Sequence, residues 1–360
     1  MKRSTALLLS ACALPLALAL ATPQTTISFA PAEGNSLTKT FTSEFDMSLD
    51  ELDMTMNGEP MPVEIEIDMN IVAVSSTVVT DEFVELGKGM PTKLIRSYDE
   101  IGSTTSMSME MSVMGTDQSQ DEDRDSSSEL EGESVVFDWN EEKSEFAVSF
   151  PKDSESDEEL LEGLEEDMDF RALLPDGDVS EGDEWKLDPA VAVDILAPGG
   201  NLKLVPEDMS EEMEALMGGM GGNEMGDLRD WLEGEIEGSV TCTYVGMREV
   251  DGTSLALIEF AVNINTAVDM TDKVLEKMDE VPMPQGAEVE LDHMDIEFEM
   301  EAKGQLFWNV KAGHFHSFEL TGSTAMVMDF GMAMNMGGQE MTMEYAMEMS
   351  GTLEMGANAK

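Results

Sequence analysis

The chain has 360 residues and carries 19 Lys plus Arg against 77 Asp plus Glu, a formal net charge of −58. Nucleic acid and anionic membrane surfaces repel such a chain, whereas a carboxylate-rich exterior suits salty surroundings in which counterions screen it. With 3 His and 2 Cys against 33 Met, ordinary catalytic and metal-binding side chains are scarce and thioethers are abundant.

Lys2 and Arg3, the apolar run from Ala6 to Ala21 and the small-x-small pattern Ala19-Leu20-Ala21 predict a removed signal peptide over residues 1–21. Leu9-Ser10-Ala11-Cys12 also fits a lipobox. The apolar run continues past Cys12, however, and that favours a soluble exported protein, periplasmic or extracellular, over a lipid-anchored one. No later stretch reaches the roughly 18 consecutive apolar residues of a spanning helix. Once Cys12 is removed, Cys242 is the remaining thiol. An intramolecular disulfide is then excluded, and the apolar strand pattern around Cys242 points to a buried, inert group.

Period-two alternation dominates the rest and predicts strands with one dry face. Phe41, Phe45, Met47 and Leu49 alternate, Asn57-Gly58 marks a turn, and Val63, Ile65, Ile67, Met69 and Ile71 alternate on the way back. Residues 116–130, nearly all Asp, Ser, Gln and Glu, have almost nothing apolar to offset their ordering entropy and are expected to be a disordered acidic loop. Val135 to Trp139 and Phe146 to Phe150 flank a turn at Asn140, and Val240 to Val250 pairs with Leu255 to Ile264 across Asp251-Gly252. Met294, Ile296, Phe298 and Met300 alternate with Asp295, Glu297, Glu299 and Glu301, so a one-residue slip would bury four carboxylates. A long phase from Phe318 to Met336 follows, with Gly322 and Gly331 as bending points. Gly337-Gly338 turns it back through Met341, Met343, Tyr345, Met347 and Met349.

Helical spacing is confined to insertions at 156–174 (Leu160, Leu161, Leu164, Met168), 208–233 (Met209, Met213, Leu216, Met217) and 270–281 (Met270, Val274, Met278, Val281). The expected fold is therefore mainly β: one large curved antiparallel sheet or half-barrel over residues 22–355, built from long hairpins with a few short helices inserted. A short tail follows at 356–360.

The segments Phe83 to Ile101, Leu173 to Leu187 (with Leu-Pro and Gly-Asp-x-Trp), Gly304 to Trp308 and Glu319 to Gly322 resemble the pattern of an uncharacterised family of secreted, β-rich bacterial proteins. The architecture this implies is similar to the half-barrels of periplasmic lipoprotein carriers. Those relatives have no assigned activity, so the resemblance supplies architecture and compartment and no functional residue. Leu173, Leu174 and Trp185 are read as packing anchors.

No nucleophile elbow, phosphate loop or His-Glu-x-x-His is present, so the chain is read as a non-enzyme without cofactor and without an assigned metal site. Asp121, Asp123 and Asp125 occupy the spacing of a calcium loop, but Ser126 and Gly132 stand where Gly and Glu are required. The Met residues share their phase with Phe, Ile and Leu, which reads as core or cavity lining. Unbranched, polarizable thioethers adapt to varied apolar partners. The expected function is thus binding of an apolar small molecule, lipid or envelope component on a sheet face lined by Met326, Met328, Met332, Met334, Met343 and Met347, partly covered by the segment from Asp208 to Leu232. The alternatives are an extracellular structural or surface protein that holds cations nonspecifically, and soft-metal (copper) binding, with His314 and His316 two apart on a strand. An outer-membrane barrel fits poorly, since aromatic residues are 6% of the chain and the C-terminal strand is not aromatic.

Overall fold

The structure, a computed structural model, describes residues 24–360 except 62–64, 114–115, 153, 155, 208–231, 233, 279–286 and 337–338. The predicted signal segment and nearly all of the predicted 208–233 insertion lie outside the described residues.

Among the described residues fourteen strands form, the long alternating ones expected from the sequence among them. They are β1 (Ser36–Met56), β2 (Glu59–Pro60), β3 (Ile65–Leu86), β4 (Pro91–Val113), β5 (Thr116–Ser127), β6 (Ser134–Asn140), β7 (Glu145–Ser149), β8 (Glu184–Leu187), β9 (Val205–Pro206), β10 (Glu237–Val250), β11 (Thr253–Asp269), β12 (Ala287–Asn309), β13 (His314–Met336) and β14 (Gln339–Ala359). They join one open antiparallel sheet in the order β7-β6-β4-β3-β1-β14-β13-β12-β11-β10-β8, with β2, β5 and β9 attached beside β1 and β4. The first and last long strands, β1 and β14, pair with each other from Lys39/Ala359 to Met56/Met343. The segment 356–359 expected as a tail is therefore the proximal end of β14, and Lys360 continues it by exchanging backbone hydrogen bonds with Thr38.

Strands of 21 to 23 residues are about 70 Å long, and their inward phase is mainly apolar, interrupted by the buried Lys39, Asp81 and Arg96. At the proximal end Leu37, Phe41, Phe83, Phe137, Phe260, Leu306, Trp308 and Phe318 are buried. A covering layer of Ile27, Phe29, Leu164, Met168, Phe170, Leu173 and the helix α1 (Val191–Leu196) packs over them. At the distal end a separate cluster of Met47, Leu291, Met294, Ile296, Met326, Met328 and Met349 is joined by Met270 and Val274 at the helix α2 (Thr271–Met278). The outward phase is mainly polar, with Val74 and Val327 exposed among it. Asp295, Glu297, Glu299 and Glu301 are exposed, and Asn263 donates to Glu301 at 3.0 Å across the ladder.

Two expectations differ from the structure. The acidic tract at 116–130 is mostly strand: Thr116–Ser127 pairs with β4 from Val113/Thr116 to Gly102/Ser127. The exposed edge of β4 supplies its backbone partners, and Thr104 and Ser112 donate to Asp125 and Asp117, so ordering there needs no apolar burial of its own. Asp121, Asp123 and Asp125 accordingly face Ser108, Ser106 and Thr104 along a strand, a geometry unlike a calcium loop. The predicted helix at 156–174 is two single 3₁₀ turns, Glu158–Leu161 and Arg171–Leu173. Gly163 has φ +79°, and Glu165 N–H bonds to Gly199 O at 2.9 Å, so the chain leaves helical geometry to lay Leu164 and Met168 on the sheet. In the 270–281 insertion the helix forms as expected over its described residues.

Gly322 and Gly331, expected as bends, serve close approach. A Cβ at Gly322 would lie 2.5 Å from Ala302 Cβ, and one at Gly331 would lie 2.6 Å from His293 Cε1. The strand irregularity near this end is a bulge on β12 between Leu291 and His293. Leu173 is fully buried, and Leu174 and Trp185 pack against the same core.

Candidate functional site

The predicted Met lining comes together through register. Met326 faces Met349, Met328 faces Met347, and Met332 faces Met343 across β13 and β14. Leu49, Leu52 and Met56 continue these rows onto β1. Met326 and Met328 are buried, while Met332, Met343 and Met347 are half-buried; Met334 pairs with Met341 in the ladder, but its side chain lies outside the described residues. The ring of Phe330 stacks on Tyr345 with centroids 4.6 Å apart. The Tyr345 hydroxyl lies 3.2 Å from Met343 Sδ. At the centre Thr324 Oγ1 donates to Met47 Sδ at 3.1 Å.

Sequence reasoning missed a second assembly, a buried ionic cluster on the same face at the proximal end. Asp81 and Arg96 are direct cross-strand partners of β3 and β4. Arg96 Nε donates to Asp81 Oδ1 at 2.7 Å and Nη2 to Oδ2 at 2.9 Å. Lys39 Nζ lies 2.7 Å from Asp81 Oδ2 and 2.8 Å from Asp169 Oδ1. Arg96 also donates to the carbonyls of Glu165 and Glu166 at 3.0 and 2.8 Å, and Arg171 pairs with Glu166 and Asp167. Each cation sits over a ring: Lys39 over Phe83, Arg96 over Phe137, and Arg171 over Phe29, contacts that gain weight when desolvated.

Burial alone would raise the Asp81 carboxyl, but the Arg96 and Lys39 charges overcome it and hold the group at about 2. Glu166 goes the other way. Burial outweighs the Arg171 guanidinium and lifts it to about 7, and burial likewise raises Asp169. The cluster fastens the covering layer, because Phe170, held at φ 54°, stacks on Phe318 at 4.0 Å, and Phe318 stacks on Phe260. Its contacts tie the 165–171 segment to the sheet through Lys39–Asp169 and through Arg96 to the Glu165 and Glu166 carbonyls. The detectable signal was a charge in the dry phase: Lys39 between Leu37 and Phe41, Asp81 between Val79 and Phe83, Arg96 between Leu94 and Tyr98.

Cys242 is buried and free, with its thiol pushed up to about 12 by burial, as its strand position implied. His314 spends Nδ1 at 2.6 Å from the Phe315 carbonyl, and no described contact brings it to His316 or to a thioether.

No protein-family model and no curated protein sequence matches the chain. Among solved structures, the outer membrane protein OprG from Pseudomonas aeruginosa is similar at 6% identity, over 91% of this chain and 97% of that one, with a TM-score of 0.22. An outer membrane channel from Pseudomonas putida F1 is similar at 8% identity, over 91% and 97%, with a TM-score of 0.15. OccK7 (OpdD) from Pseudomonas aeruginosa is similar at 6%, over 91% and 99%, with a TM-score of 0.19. Among the described residues no helix is long and apolar enough to cross a membrane.

Proposed function

We propose that this chain is an exported, non-enzymatic binding protein that holds an apolar small molecule, lipid or envelope component on the distal Met-lined face of its sheet. The observation that supports the reading is a difference between the two ends of one continuous dry face. Proximally the covering layer seals it. Distally Met332, Met343 and Met347 stay half-buried around the buried Met326, Met328 and Met349, with α2 packed at one side. Apolar surface left at such a margin favours a partner that removes it from water, at about 25 cal/mol per Å². Thioether side chains let that partner vary in shape. An acidic outer face keeps the exported chain soluble and away from anionic surfaces.

The test is native mass spectrometry and solvent extraction of protein purified from its own host, with displacement of an environment-sensitive apolar dye. The reading expects a co-purifying apolar molecule and saturable dye binding that Met332→Gln/Met343→Gln weakens. Absence of both would end it.

A further inference from the structure

On the opposite, polar face of the sheet, three side chains from three adjacent strands converge: His293 of β12, Asp329 of β13 and Glu344 of β14. His293 Nε2 lies 3.3 Å from Asp329 Oδ1 and 3.6 Å from Glu344 Oε2, and the three ligand atoms all lie within 4.8 Å of one another. Donors sharing a tetrahedral ion at about 2.1 Å stand roughly 3.4 Å apart, so two of the three edges already have the required length.

The backbone explains why they meet. His293 and Glu344 flank Gly331, which is the register partner of both. Two strands away from each other, they can touch only if nothing rises from the strand between them. A Cβ on Gly331 would lie 2.6 and 2.9 Å from His293 Cε1 and Nδ1, and 2.7 Å from Glu344 Oε2. The β12 bulge at Leu291/His293 aims the imidazole into this gap, a common use of bulges. Thr55, register partner of Glu344 on β1, has a hydroxyl oxygen that is shielded from solvent and lacks a hydrogen-bond partner. Asp269 and Asp295 extend an acidic row through Asp329, which concentrates cations.

We propose that His293, Asp329 and Glu344 bind a single divalent transition-metal ion of the Zn²⁺ type over Gly331, with water completing its coordination. The imidazole selects the ion: Ca²⁺ and Mg²⁺ require oxygen ligands, whereas one nitrogen and two carboxylates suit Zn²⁺ and its first-row neighbours. Such an ion ties β12, β13 and β14 together at the distal end and neutralises part of a strongly negative face. This site is independent of the Met-lined face, which lies on the other side of the sheet.

The test titrates chelator-treated full-length protein with ZnCl₂ by calorimetry at raised NaCl, and with CoCl₂ by visible absorption. One saturable equivalent that survives salt, with a tetrahedral or five-coordinate Co²⁺ spectrum, is expected. His293→Ala should weaken it by more than the roughly 10–100-fold that loss of an outer-shell partner costs. Gly331→Ala, which keeps all three ligands, should weaken it too. Because the ligands are solvent-accessible, circular dichroism should stay unchanged in His293→Ala; Asp329→Asn and Glu344→Gln supply further variants. Many weak equivalents abolished by salt, equal binding of CaCl₂, or tight binding unaffected by both His293→Ala and Gly331→Ala would overturn the site.

Discussion

Asp81 and Arg96 face each other across β3 and β4 on the dry side of the sheet, joined by two hydrogen bonds of 2.7 and 2.9 Å with both side chains fully buried. Removing one partner strands the other. Asp81→Asn leaves Arg96 and Lys39 without their shared counter-charge and is expected to destabilise by about 3–5 kcal/mol, whereas Asp81→Leu/Arg96→Met removes the charge pair together and costs less than the single change. Urea unfolding of Asp81→Leu, Arg96→Met and the double variant, arranged as a double-mutant cycle, measures the coupling. Near-additive losses would show that the pair is not acting as a unit.

The same cluster sets a pH dependence with two limbs. Asp81 is held at about 2 from 3.8; its contribution is present above about 4 and is lost as pH falls toward 2. Glu166 is raised from 4.5 to about 7; the folded state favours its protonated form, so stability falls as pH rises through that window, by up to about 3 kcal/mol. Urea midpoints should therefore be highest near pH 4–5. Self-repulsion of the other carboxylates also grows with pH, so Glu166→Gln isolates the effect: its midpoint should decline less than wild type between pH 5 and 7. Parallel declines would remove Glu166 from the account.

How legible was this fold? The long strands were, because Met294, Ile296, Phe298 and Met300 against Asp295, Glu297, Glu299 and Glu301 admit one register. The strand at Thr116–Ser127 was not, since its order comes from the edge of β4 and leaves no mark in its own composition. The segment around Leu164 kept helical spacing yet follows Gly163 and Gly199 into an irregular layer, a case of tertiary contacts overriding a local pattern. Of the candidate sites, the Met rows were readable from phase. His293, Asp329 and Glu344 were not, because their meeting depends on cross-strand register and on a glycine between them.

Phe260 and Gly304 offer a clean packing test. They are register partners, and a Cβ on Gly304 would lie 2.2 Å from Phe260 Cζ, so the ring lies over the glycine and carries the stack to Phe318 and Phe170. Gly304→Ala is expected to cost about 1–3 kcal/mol by overpacking. Phe260→Leu in that background should recover part of the loss, although alone it destabilises. The same Cβ would lie 2.5 Å from the Glu319 carbonyl oxygen, which Phe260→Leu does not relieve, so recovery stays partial; no recovery at all would assign the whole cost to that backbone contact.

The Met-lined face makes a prediction that separates binding from folding. Met326 is buried between Met349 and Phe298 in register, so Met326→Ala should cost about 2–5 kcal/mol through transfer and cavity terms. Met332 and Met343 form a half-buried pair at the margin, so Met332→Gln/Met343→Gln should change the unfolding midpoint little while weakening saturable apolar-dye binding several-fold. A merely structural margin would behave differently, because the margin variant would then lose stability and dye binding together, in proportion to Met326→Ala. Measuring midpoint and dye affinity on both variants therefore decides whether these thioethers are held in reserve for a partner or are simply the outer layer of the distal core.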